Sequence, residues 1–141
     1  MRKILLCLIL LLHIRSGSAH AQNALPNKAI AETERHLIGE WKLKEGLPGE
    51  DENGDRIWSF AKDHTLRDNK EELQMDYLLV QNAAGDIWML MQYSQSNSGA
   101  IIMRIRLEGD TLKLDRISKN SEGTYAAIPG GGLVFERKKE G

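Results

Sequence analysis

After residue 36, apolar and polar residues alternate with period two through most of the chain. The pattern opens in Leu37-Ile38-Gly39-Glu40-Trp41-Lys42-Leu43, where Leu37, Gly39, Trp41 and Leu43 share one parity and Glu40 and Lys42 the other. A strand with one dry and one wet face gives this alternation. It recurs in residues 57–61, with Trp58 and Phe60 on one side, and briefly in Thr65-Leu66-Arg67. A long run over 73–80 places Met75, Tyr77 and Leu79 together, and 87–93 places Met89, Met91 and Tyr93 together. In 101–107, Ile101, Met103, Ile105 and Leu107 face one way and Arg104 and Arg106 the other. A run over 111–117 follows, and the last run, 133–138, puts Leu133, Phe135 and Arg137 on one face.

The links between these runs are rich in turn formers. Lys62-Asp63-His64, residues 82–86, residues 94–99 and Glu108-Gly109-Asp110 are too short for crossovers, so the pattern predicts an antiparallel meander. Residues 119–132 read as a longer link. Within it, 125–128 is a short strand or a stretch packed on the wall, and Pro129-Gly130-Gly131-Gly132 a flexible turn. That glycine run lacks the Gly-Lys-Ser/Thr ending of a phosphate loop. Upstream, Ala29, Ile30, Thr33 and Leu37 recur at helical spacing, which predicts a short helix over 27–36 with His36 at the surface.

Eight strands in sequence leave two sticky edges unless the sheet closes on itself. The expected fold is therefore all-β: an antiparallel eight-stranded up-and-down β-barrel with a short N-terminal helix. A barrel of this size is either filled by its own side chains or holds one small ligand.

The first 21 residues read as an export signal. Arg2 and Lys3 precede an apolar run from Ile4 to Ile14 broken only by His13, and Ala19-His20-Ala21 is a small-residue cleavage site. The apolar run is too short to span a bilayer. The expected organisation is a signal peptide over 1–21, a segment with the short helix over 22–36 and the barrel domain over 37–139. No membrane span is expected once the signal is removed, and the location is periplasmic or secreted.

Composition narrows the functional classes. The single cysteine, Cys7, lies inside the signal, so the mature chain has neither a disulfide nor thiolate chemistry. Removing Arg2, Lys3 and Arg15 leaves 16 basic residues against 20 acidic ones, a net charge of about −4. Phosphate contacts need clustered Lys and Arg, so nucleic acid is not an expected partner. The loop over 45–55 carries five acids, with Asp51, Asn53 and Asp55 at alternate positions. Its glycine is misplaced for a calcium loop and the closing glutamate is missing, so it reads as a solvated loop. Asp63 and His64 adjoin, but no motif sets a nucleophile beside them, and they read as a turn. His36 and His64 are the mature histidines, too far apart for metal-ligand spacing. Neither an enzyme nor a bound cofactor is expected.

Gly39-x-Trp41 on the first strand and Arg137 on the last resemble the lipocalin and calycin superfamily of ligand-binding β-barrels. An arginine on an apolar face needs a partner, and the flat side of an indole supplies one. The resemblance implies that Gly39, Trp41 and Arg137 close the barrel floor, and that the first loop is a lid over the open mouth. Asp76-Tyr77 is a fragment of the family's middle motif but falls too early in the strand order. The inward residues Trp58, Phe60, Met75, Tyr77, Met89, Met91 and Met103 are the candidate ligand wall, the methionines being soft and adaptable. The expected function is binding of a small apolar or amphipathic molecule in the barrel. The alternative is a filled barrel that meets a protein partner, as an inhibitor would, through loop 45–55.

Overall fold

A computed structural model of the chain describes residues 27–46, 55–71, 74–95 and 99–141. The expected signal segment and the acidic stretch 47–54 lie outside the described residues.

The helix α1 (Lys28–Leu37) begins where its cap dictates. The Asn27 side-chain oxygen accepts from the Ala29 and Ile30 amides at 3.0 and 3.3 Å. Arg35 and His36 occupy the last turn, where positive charge suits the helix dipole. Leu37 closes the helix rather than opening the strand, and it is fully buried. Both periodicities fit Leu37; the helix takes it because the chain turns out at Gly39, whose φ is +127°.

Eight strands follow: β1 (Gly39–Glu45), β2 (Ile57–Phe60), β3 (Thr65–Asp68), β4 (Gln74–Gln81), β5 (Ile87–Tyr93), β6 (Ile101–Glu108), β7 (Thr111–Lys119) and β8 (Tyr125–Arg137). Each pairs antiparallel with the next, and β8 pairs antiparallel with β1, so the sheet is a closed barrel. The turns at residues 61–64, 82–86 and 109–110 gather at one end with α1, which makes that end the floor. The opposite end, where β1, β3, β5 and β7 finish, is the mouth.

The inward parity of every strand builds one core. Trp41, Leu66, Met89, Leu112, Leu114 and Phe135 are fully buried, and Trp58, Phe60, Met75, Tyr77, Met91 and Met103 nearly so. Aromatic rings interlock across it. Phe60 and Tyr77 meet edge to face at 5.3 Å, and Trp58 and Phe135 lie 4.8 Å apart.

The 119–132 region differs from the sequence expectation. It is a hairpin, with β7 and β8 running past the barrel rim to a turn at residues 120–124. The ladder shifts register where Asp115 pairs with Gly132 but Ile117 pairs with Ala127. Arg116 on β7 therefore faces the surplus residues Ile128, Pro129, Gly130 and Gly131 on β8. Proline cannot donate to a ladder, and here it sits where the ladder is already broken. The Pro-Gly-Gly-Gly stretch is thus a bulge inside a strand and not a loop before one.

Candidate functional site

The floor is built from the ends of the chain's first and last strands. Trp41 stands opposite Arg137 in the β1–β8 register. The Arg137 guanidinium lies 4.3 Å from the centroid of the Trp41 ring. Its Nη1 donates to the Ile38 carbonyl at 3.2 Å and its Nη2 to the His36 carbonyl. The Trp41 indole N–H donates to the Leu37 carbonyl at 2.7 Å. Three carbonyls at or just after the end of α1, which the helix itself leaves unpaired, are therefore answered by two side chains of the barrel. A Cβ placed on Gly39 would sit 3.1 Å from Arg137 Nη1, which is why this position holds no side chain. The three residues of the expected floor are found together, and α1 is tied across the bottom by them.

Beside this lock, the turn after β2 is held by its own polar groups. Asp63 accepts from the Thr65 hydroxyl at 2.6 Å, which holds its carboxyl below the usual range. His64 has φ +62° and lies 3.2 Å from Glu34 of α1. The two residues thus serve different partners. Tyr77 reaches the same turn, donating to the Ala61 carbonyl at 3.2 Å. Burial, then the charges of Glu34 and Asp63, push the Tyr77 hydroxyl up to about 12.

The mouth end is not filled. A cavity of about 110 Å³ remains there. Trp58, Met75, Met91 and Met103 form its wall, with Leu133 and Phe135. Arg56, Glu71, Tyr93 and Arg116 supply its polar rim. Four of the seven expected wall residues thus line it. Phe60, Tyr77 and Met89 belong to the packed core and do not line it. The space is well below the 300–1,000 Å³ of a whole drug-sized pocket and nearer to one that takes a single small ring.

A charged pair at this end was not foreseen. Asp68 follows Leu66 with inward parity and is only 4% exposed. Its Oδ2 accepts from Arg56 Nη2 at 2.6 Å, from Arg56 Nε at 2.8 Å and from the Trp58 indole N–H at 2.9 Å. The Lys70 amide donates to Oδ1 at 3.0 Å. One carboxylate therefore fixes both the indole that walls the cavity and the arginine at its rim. Arg56 also lies 3.4 Å from Glu71, to which the Tyr93 hydroxyl donates at 3.3 Å. Burial, reinforced by Glu71, raises the Tyr93 hydroxyl above its ordinary value, so it acts as a donor.

The outer wall carries a different feature. Leu78 pairs with Leu90 and Val80 with Trp88, and Leu90 pairs on with Ile102, all on the outward parity. Leu78 is 55% exposed. Tyr125 of the protruding hairpin sets its ring 5.7 Å from that of Trp88 and is 46% exposed.

The arrangement defines a small closed antiparallel barrel with a helix-plugged floor and a small cavity at its mouth. Among the described residues no helix is long and apolar enough to cross a membrane, and no three potential ligands gather around a metal-sized space. Compared with known proteins, the chain matches no family model, no curated protein and no solved structure at a significant level.

Proposed function

We propose that this chain is an exported, lipocalin-like carrier, without catalytic activity, that holds a small amphipathic molecule in the mouth of its barrel. The family reading is supported by Gly39, Trp41 and Arg137 acting as one unit at the floor. Export to the periplasm or the exterior is supported by the basic start, apolar run and Ala19-His20-Ala21 site of the first 21 residues.

The observation that carries the binding reading is the cavity, apolar inside and polar at its rim. A barrel built only to be a scaffold has no use for a gap there, since filling it with one more methyl or ring adds stability. Its size sets the scale of the ligand. Burying about four methylenes contributes roughly 3 kcal/mol at about 0.8 kcal/mol each, which alone corresponds to millimolar affinity. Tighter binding needs the polar rim.

Native mass spectrometry of the protein purified from its own host tests this directly. A retained small molecule is expected. Titration of the purified protein with short-chain amphiphiles should also shift Trp58 emission. No adduct and no shift with any such probe would sink the carrier reading.

A second reading is favoured by the outer wall. A domain that docks a protein partner would use the exposed Leu78, Tyr125 and Ile128, with the depression of about 260 Å³ flanked by Leu78 and Leu90. Loop 45–55, the surface the sequence favours for such contact, falls largely outside the described residues. Changing Leu78 and Tyr125 to serine separates the two: a carrier keeps its ligand, whereas a docking domain loses its partner.

A further inference from the structure

We infer that the molecule held at the mouth is a short-chain organic acid whose carboxylate is received by Arg116. This rests on the carrier reading and adds the charge and polarity of its ligand. Four polar residues rim the cavity, and three of them are already committed. Arg56 is bonded to Asp68 and faces Glu71. Glu71 in turn accepts from Tyr93. Among the described residues that line the cavity, Arg56 and Arg116 are the cations and Glu71 the anion, and Glu71, like the adjoining Asp68, is turned to Arg56. Among the described residues, Arg116 has no ion-pair or hydrogen-bond partner, and it is exposed at the mouth.

Its placement is unusual for a surface arginine. Arg116 pairs with Met103, so it stands on the inward parity of β7, beside a methionine of the cavity wall. It is also the residue at which the β7–β8 ladder breaks. Such irregularities re-aim a side chain, and they recur beside binding sites. Gly131 lies directly against it: a Cβ there would come within 3.3 Å of Arg116 Cβ and 3.1 Å of the Ile128 carbonyl oxygen. The bulge and the missing side chain together leave the arginine stem seated at the rim. A guanidinium that meets no anion among the described residues, held over an apolar space, matches a carboxylate with a short tail. The tail fills the space walled by Met75, Met91 and Met103, and the carboxylate stays at the wet rim.

Two probes with the same tail test the assignment: hexanoate and 1-hexanol, each titrated into the mature protein and into Arg116→Gln by calorimetry. Hexanoate is expected to bind the native protein about tenfold more tightly than hexanol, the worth of one charge-assisted hydrogen bond. Arg116→Gln should remove that preference and leave hexanol binding unchanged. Added salt should weaken hexanoate alone. An unaltered melting curve for Arg116→Gln shows that the fold is intact. Equal binding of the two probes to the native protein, or hexanoate binding that ignores the substitution, would overturn the anion site while leaving the carrier reading in place. Binding of neither probe would bring down the carrier reading and this assignment with it.

Discussion

Arg137 covers the Trp41 ring at 4.3 Å while donating to the carbonyls of His36 and Ile38. One side chain on the last strand thus closes the barrel's base and anchors the helix in front of the first strand. Arg137→Met should lose the ring contact and leave helix-end carbonyls unanswered, at a cost of about 3 kcal/mol. Arg137→Lys keeps the charge but not the fork, and should cost about 1–2 kcal/mol. Urea unfolding measures both; a native midpoint for the lysine variant would mean that charge alone is enough.

Gly39 is constrained twice, by its φ of +127° and by the guanidinium 3.1 Å from where a Cβ would be. Gly39→Ala should destabilise by about 2 kcal/mol. Repeating it in an Arg137→Met background separates the two causes. The steric share should disappear and the backbone share persist, so the cost should fall without vanishing.

The pair Arg56–Asp68 should be strongly coupled. Asp68→Asn strips a half-buried guanidinium of the carboxylate 2.6 Å from it, and Arg56→Met strands a carboxylate that is 4% exposed. Each single change should cost about 2–4 kcal/mol. The double variant keeps an acceptor for the Trp58 indole and leaves neither of the two charges behind. It should be less damaging than the two singles added together by about 1–2 kcal/mol. Strict additivity in chemical denaturation would show that the two act independently.

Tyr77 makes stability sensitive to alkali. Its hydroxyl titrates at about 12 in the folded protein against an ordinary value of 10. A raised value means that the neutral form is the one the fold favours. Its contribution is therefore complete below pH 10 and is lost as pH rises from there through 12. Tyr77→Phe should be less stable at neutral pH by about 1 kcal/mol, the worth of its bond to Ala61. The gap to the native protein should narrow above pH 10. Parallel denaturation curves that keep the same separation to pH 11.5 would contradict this.

On the proposed carrier reading, filling the cavity should silence binding without unfolding the barrel. Met103→Phe adds bulk to its wall, with an expected stability change within about 1.5 kcal/mol. Short amphiphiles should then no longer shift Trp58 emission. A retained shift would place the probe elsewhere.

Much of the barrel was legible because its physics is local. Alternation assigns Trp58, Tyr77, Met75, Met89, Met91 and Met103 to one face, and each of them is buried. Turn chemistry marks the floor turns, and Trp41 with Arg137 could be matched because the two residue types have few other ways to share an apolar face. What was missed needed a third dimension. Asp68 opens a polar stretch, Asp68-Asn69-Lys70-Glu71, and reads as loop; only its parity with Leu66 hints that it points inward. Arg116 reads as an ordinary strand residue, since nothing near it in sequence announces that four residues across the ladder will bulge. Which inward residues would leave space was likewise unreadable. Phe60 and Met89 have the same parity as Trp58 and Met103, and Met89 even stands opposite Met103 in the ladder, so parity alone does not separate core from cavity.

The seam between β1 and β8 has a consequence for how the molecule comes into being. Trp41 must wait for its guanidinium partner 96 positions later, and the His36 and Ile38 carbonyls at the end of α1 stay unanswered until Arg137 has been made. Before that moment β1 and β7 present bare ladders of amides and carbonyls, each able to recruit a strand from a neighbouring chain. The hazard is thus greatest in nascent or truncated chains, and loss of the final ten or so residues should yield aggregates rather than a shortened barrel.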